Sequence, residues 1–367
     1  MTLLTLVSFG VSAQEFDEFG GFCAISREAT GYFSLGQANG RHFLFTPDGH
    51  AFLALGINHF HTTQRTDYNR IIEEVKSWGF NSGCYQGPKW MWERIPYSKG
   101  INLLEIRSYA SEDVFRYEDV FDPSYLEILE TKIRNIVEPM VENQLLIGYF
   151  LTDMPVWSRS KYGKSWIKYY KSLPEYAPGG QVFQGWKQKY PEANEQEFLA
   201  LVARQLYSTG TAFIRKYDPN HLIFSDRYSE YDISELVVRE VLPFVDAIAT
   251  QPSNEFHPKY FDYLYSTFQK PIFIADHVSS FETDEYPVTM GQVAKDEESY
   301  LKRYNDYIDK IFTLPFIIGF NKCQFENEER PGLLKQGLTK INGEPYDYVS
   351  RLNDVHTKSL LRAYTAQ

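Results

Sequence analysis

The chain has 367 residues, 43% of them hydrophobic and 16% aromatic, enough to fill one barrel-sized core. A net charge of −11 with no Lys/Arg cluster excludes a nucleic-acid partner. No later apolar run reaches the ~20 residues that span a membrane. Three cysteines without a Cys-x-x-Cys or Cys/His cluster offer neither a zinc site nor a complete disulfide framework.

The opening MTLLTLVSFGVSAQEF is apolar and ends in Val-Ser-Ala. It is expected to be a truncated secretory signal, residues 1–13, cleaved after Ala13, for a secreted or periplasmic protein. Residues 14–367 contain no repeat, linker or low-complexity tract and read as a single domain. A β-hairpin comes first, with turns at Asn39-Gly40 and Asp48-Gly49. A buried strand follows over Phe52 to Asn58, then a helix IIEEVKSWGF and a short strand at Asn81-Ser82-Gly83.

A third strand is predicted near Ile101 to Ile106, a helix over Tyr125 to Glu142, and a fourth strand in LLIGYFLTD. The segment from Trp157 to Trp186 is an aromatic insertion. After a helical stretch from Glu195 to Tyr217 come HLIFSDRY, VDAIATQP, PIFIADH and FIIGFNKCQF, each preceded by a helical pattern. Eight strands alternating with helices predict parallel pairing and an α/β fold, a (β/α)8 TIM barrel with an N-terminal β-hairpin. A doubly wound open sheet is the competing arrangement, but no glycine-rich phosphate loop follows any strand.

In a barrel of this kind the active site lies where the strands end. The polar residues there are Asn58, His59, Tyr85, Asp153, Asp226, Arg227, Tyr228, Gln251, Asp276, His277, Gln324 and Glu326. Ionisable groups so placed are costly unless paired, and structure alone does not require them. Asp153 ends strand four and Asp276 ends strand seven. Hydrolysis of a glycosidic bond needs one carboxylic acid and one carboxylate nucleophile or base, so these two are the candidate catalytic residues. Either Asp could instead cap a helix or pair with Arg227.

Of the two, Asp153 is expected to hold the proton, because LLIGYF and Met154-Pro155 surround it with apolar atoms. Trp157 and Trp186 are candidate sugar platforms, although single aromatics more often fill cores. The histidines lack metal-ligand spacing, and a Gly-x-Ser-x-Gly elbow is absent; neither metal nor cofactor is expected.

In order along the chain, GRHFLFTPDGHAFLALGINH, LIGYFLTDMPVW, HLIFSDRY, PIFIADH and FIIGFNKCQFENEE with LLKQGLTKINGEPY resemble segments of the agarase-like glycoside hydrolases of clan A. That resemblance implies a barrel hydrolase acting on a galactan such as agar, porphyran or carrageenan. Two positions depart from the pattern. The clan's acid is a Glu directly after an Asn; Asp153 stands at that Asn and Met154 at that Glu. The clan's strand-seven nucleophile is Glu, and Asp276 replaces it. Methionine transfers no proton. Either Asp153 serves as the acid in an Asp/Asp branch, or the chain is a non-catalytic carbohydrate-binding barrel. A third alternative is another enzyme class, such as a lyase using Tyr228 or His277.

Overall fold

Four short antiparallel strands open the computed structural model: β1 (Phe22–Ser26), β2 (Ser34–Ala38), β3 (Arg41–Phe45) and β4 (His50–Phe52), in the order β1-β4-β3-β2. The structure describes residues 15–62, 64–105, 116–157, 164–252, 255–283, 293–327 and 336–366, so the expected signal segment lies outside the described residues. The β2–β3 hairpin closes on Asn39 and Gly40, both left-handed (φ 51° and 73°), with Ala38 opposite Arg41. A two-residue turn with positive φ at both positions matches the strands' own twist, which is why Asn-Gly sits there.

Strand β5 (Ala54–Asn58) begins a closed parallel barrel. Helix α1 (Tyr68–Ser77), β6 (Ser82–Gly83), β7 (Tyr97–Gly100), α2 (Pro123–Val137) and β8 (Leu146–Phe150) come next. The aromatic insertion holds α3 (Trp166–Ser172) and α4 (Pro178–Lys189). Then follow α5 (Phe198–Tyr217), β9 (Leu222–Ser229), α6 (Glu235–Val241), β10 (Ala247–Gln251), α7 (Pro258–Phe268) and β11 (Ile272–Val278). A short pair, β12 (Ser280–Phe281) and β13 (Val293–Ala294), precedes α8 (Glu297–Ile311), β14 (Ile317–Cys323) and α9 (Leu352–Thr365). Around the barrel the order is β5-β6-β7-β8-β9-β10-β11-β14, and every pair in it is parallel. Among the described residues no helix is long and apolar enough to cross a membrane.

Two sequence expectations shift. The predicted strand over Phe52 to Asn58 divides at Leu53: its first residue belongs to the N-terminal sheet and the rest to the barrel. The third barrel strand is Tyr97–Gly100 rather than the Ile101 region. Ile101 and Leu103 instead continue the wall as an irregular edge, their amides donating to Phe150 and Leu151 carbonyls. That pairing explains why an apolar run outside the strand is still buried.

Inside the barrel, β8, β9 and β11 each send one phenylalanine to the axis. Phe150, Phe224 and Phe273 pack with centroids 4.9–5.3 Å apart. The N-terminal sheet closes the lower end with Phe33, Leu44 and Phe52, which join the same buried cluster. Arg41 anchors that sheet by donating to the Phe312 and Ile317 carbonyls. A larger apolar shell lies between the strands and the helices. The floor of the barrel mouth is thus packed with apolar side chains, and polar groups stand above it at and just past the strand ends.

Candidate active site

Two β-bulges decide which side chains enter the mouth. On β9, Phe224 pairs with Ala247 but Arg227 pairs with Ala249, so three residues of β9 span two of β10. A regular pleat would place Asp226 on the same face as Phe224. The extra residue instead turns Arg227 inward and Asp226 outward. On β11, Ile274 pairs with Phe320 and His277 with Lys322, again three against two. This bulge brings the Ala275 carbonyl within reach of Asn58 Nδ2 (2.8 Å) and Arg227 Nη2 (3.1 Å).

Arg227 is the centre of the mouth. It is 1% exposed. One guanidinium nitrogen lies 3.2 Å from Asp153 Oδ1 and the other 3.2 Å from Asp276 Oδ2. Its carbon sits 4.1 Å over the ring of Tyr85. Burial works against the charge, but the facing carboxylates of Asp153 and Asp276 outweigh it, and the pKa of Arg227 is raised. The two bonded oxygens therefore lie within roughly 9 Å of each other, the span of one planar guanidinium and two ion-pair contacts.

The neighbours hold this geometry. Asp153 follows the end of β8, and the ladder continues past it: Arg227 N donates to Thr152 O and Met154 N to Arg227 O. Asn102 accepts from the Asp153 amide at 3.1 Å and donates to Tyr85 Oη at 3.1 Å. Gln251, at the end of β10, donates to Asp153 Oδ1. The apolar surroundings expected for Asp153 are therefore replaced by a cation and an amide. Tyr85 lies against Gly100, where any Cβ would come 2.5 Å from the ring. His59, left-handed at φ 47°, donates its amide to the Tyr85 carbonyl and meets that ring edge-on. At strand eight, Glu326 accepts from Thr62 Oγ1 and Gln324 donates to the Glu326 carbonyl. Met154 is left-handed at φ 42° and 39% exposed beside Asp153.

Five residues predicted for substrate lie elsewhere. Asp226 faces outward, fully buried, accepting from Tyr207 and from Trp157 Nε1. Burial pushes its carboxyl up to about 7 against those hydrogen bonds. Trp157 is 3% exposed and stacks on Trp166 at 4.9 Å, so it is core rather than platform. Tyr228 is buried in the outer shell with Tyr207 and Asp226 for neighbours. His277 packs on Tyr307 of α8 at 4.2 Å, on the helix side of β11. Trp186 lies on α4 against Phe198, in an outer groove with Arg204 and Glu240.

A strand-end position alone does not place a side chain in the mouth, because alternate residues point away from the barrel axis. Asn102 and Thr62 were missed. Neither stands in a strand or a recognisable motif, and only the fold brings them to Tyr85, Asp153 and Glu326. Lys322 was also missed; it is fully buried and donates to the Ser279, Cys323 and Gln336 carbonyls, tying strand eight to the loop after β11.

No family model and no curated protein matches the sequence. Solved structures do. An agarase, AgWH50C, superposes with a TM-score of 0.80 at 16% identity, over 95% of this chain and 67% of that one. An exo-beta-agarase superposes with a TM-score of 0.81 at 15% identity, over 96% and 68% of the two chains. A GH2 beta-galacturonidase from Eisenbergiella tayi, bound to galacturonate, reaches 0.56 at 13% identity, over 89% and 54%. The chain has the fold of these agarases.

Proposed function

We propose that this chain is a glycoside hydrolase acting on a galactan-type polysaccharide or oligosaccharide such as agar, porphyran or carrageenan, with Asp153 and Asp276 as its carboxylate pair. The observation that carries the reading is the shared guanidinium: two strand-end carboxylates converge on Arg227 at the mouth of an agarase-like barrel. Sharing one guanidinium keeps their bonded oxygens within roughly 9 Å, which does not exceed the roughly 5–10 Å that covers retaining and inverting enzymes. Asp276, paired with Arg227, is suited to attack or to activate water. Asp153 must deliver a proton to the leaving oxygen. Gln251 and Arg227 hold its Oδ1 and fix the carboxyl at the barrel mouth.

Purified protein should release reducing ends from at least one of agarose, porphyran and carrageenan, and Asp153→Asn should lose that activity by about 10²–10⁴-fold while remaining folded. A fully active Asp153→Asn protein removes Asp153 from the acid role.

One observation favours a second reading, a non-catalytic carbohydrate-binding barrel. Arg227 occupies both carboxylates at once, and Met154 offers no proton beside them. A barrel of that kind would bind the same oligosaccharides without cleaving them, so binding with no product over days would select it.

A further inference from the structure

β11 has two working faces. Asp276 turns to Arg227 in the mouth, while His277, the next residue, turns to α8. Between that face and α8 lies a cavity of about 300 Å³, outside the barrel wall. It is too large for one or two waters, each occupying about 30 Å³. It falls at the lower end of the roughly 300–1,000 Å³ range of ligand pockets.

The lining is aromatic and hydroxylic. Phe256, Tyr304, Tyr307 and His277 present rings, with Tyr307 perpendicular to Phe256 (86°) and 6.3 Å from it. Two lining residues carry buried hydroxyls that have no hydrogen-bond partner among the described residues: Ser279 Oγ, in a residue 9% exposed, and Tyr307 Oη, in one 2% exposed. A buried hydroxyl without a partner is destabilising, and a ligand that bonds to it recovers that loss. At the rim stand Arg303 and Lys310 on one side of the charge balance and Glu255 and Asp306 on the other. With two cations offset by two anions, the rim selects neither an anion nor a cation. A wholly apolar ligand would leave both hydroxyls unmet.

We propose that this cavity is a second carbohydrate site, taking one neutral pyranose ring with its C–H face on the aromatic rings and its hydroxyls on Ser279, Tyr307 and the rim. Aromatic faces paired with unfilled hydroxyl positions are the recognition chemistry of a neutral sugar. The site is separate from the mouth, because Asp153, Arg227 and Gln251 do not line it.

The test is calorimetric titration of the full chain with D-galactose, a probe whose choice rests on the galactan reading, and with D-glucose alongside it. Ser279→Ala and Tyr307→Phe should each weaken binding at this site roughly tenfold. Neither removes an existing hydrogen bond, so thermal midpoints should hold. Arg303→Ala, on the exposed rim, is a second variant that spares the core. Asp153→Asn should leave this binding in place. Galactose or glucose bound by Ser279→Ala, Tyr307→Phe and Arg303→Ala as by the natural chain, or no saturable binding of either sugar by the natural chain, would overturn the proposal. Binding that Ser279→Ala and Tyr307→Phe weaken and Asp153→Asn retains belongs to this site rather than to the mouth, so failure here and failure of the hydrolase reading are separate results.

Discussion

Asp226 and Arg227 are adjacent in sequence and sit in opposite settings. Arg227 faces the barrel axis and joins two carboxylates, with Tyr85 covering its flat side. Asp226 faces the helices and accepts from the neutral donors Tyr207, Trp157 and Thr152. On the axis side, buried charge is offset by opposite charge. On the helix side the partners are neutral hydrogen-bond donors, and burial raises the Asp226 carboxyl to about 7 against them. One bulge in β9 separates these outcomes. A paired charge at the mouth is available for chemistry, whereas a solitary carboxyl behind the wall is a structural group whose cost depends on pH.

Breaking the axis side should have the largest effect. Arg227→Met leaves Asp153 and Asp276 without their shared cation and should destabilise the fold by about 3–5 kcal/mol. Urea denaturation measures this directly. A loss below 1 kcal/mol would mean that the bridge contributes little to the fold. On the helix side, Trp157→Ala opens a cavity beside Asp226 and should cost about 3–5 kcal/mol. Trp186→Ala, in an outer groove, should cost less than about 1.5 kcal/mol, since its ring is only partly buried. Equal losses for the two tryptophans would contradict their assigned places.

The pH dependence sharpens the contrast. The folded chain keeps a proton on Asp226 that the unfolded chain has released between about 4 and 7. The contribution of that proton is fully present below pH 4 and is lost as pH rises through 7. Asp226→Asn carries no such titration. Relative to it, the natural chain should lose stability from pH 4 to 7, by up to about 4 kcal/mol in total. Denaturation midpoints of both proteins across that range would show this, and a constant difference would place Asp226 in a less buried setting than described.

The strand order was legible because buried runs such as LLIGYF and PIFIADH announce themselves by composition, and their alternation with helical patterns implies a parallel sheet. Asp153, Arg227, Gln251 and Asp276 were legible because each stands at a strand end. Facing was not legible. A bulge adds one residue to a strand without a sequence mark, so nothing in HLIFSDRY says that Arg227 rather than Asp226 points inward. Trp157 was read by its nearness to the strand end, and only the course of the insertion brings Trp166 beneath it. β7 was missed because Tyr97–Gly100 reads YSKG, and Gly100 is required there by the ring of Tyr85 rather than by strand propensity.

If the Arg227-bridged carboxylates form a hydrolytic pair, removing either one should stop cleavage. Reducing-end release from agarose, porphyran and carrageenan by the natural chain and by Asp276→Asn, with folding checked by circular dichroism, tests it most directly. Measurable hydrolysis of at least one polymer by the natural chain is expected, with a loss of at least about a hundredfold in the folded variant. Equal rates in the two folded proteins would contradict it.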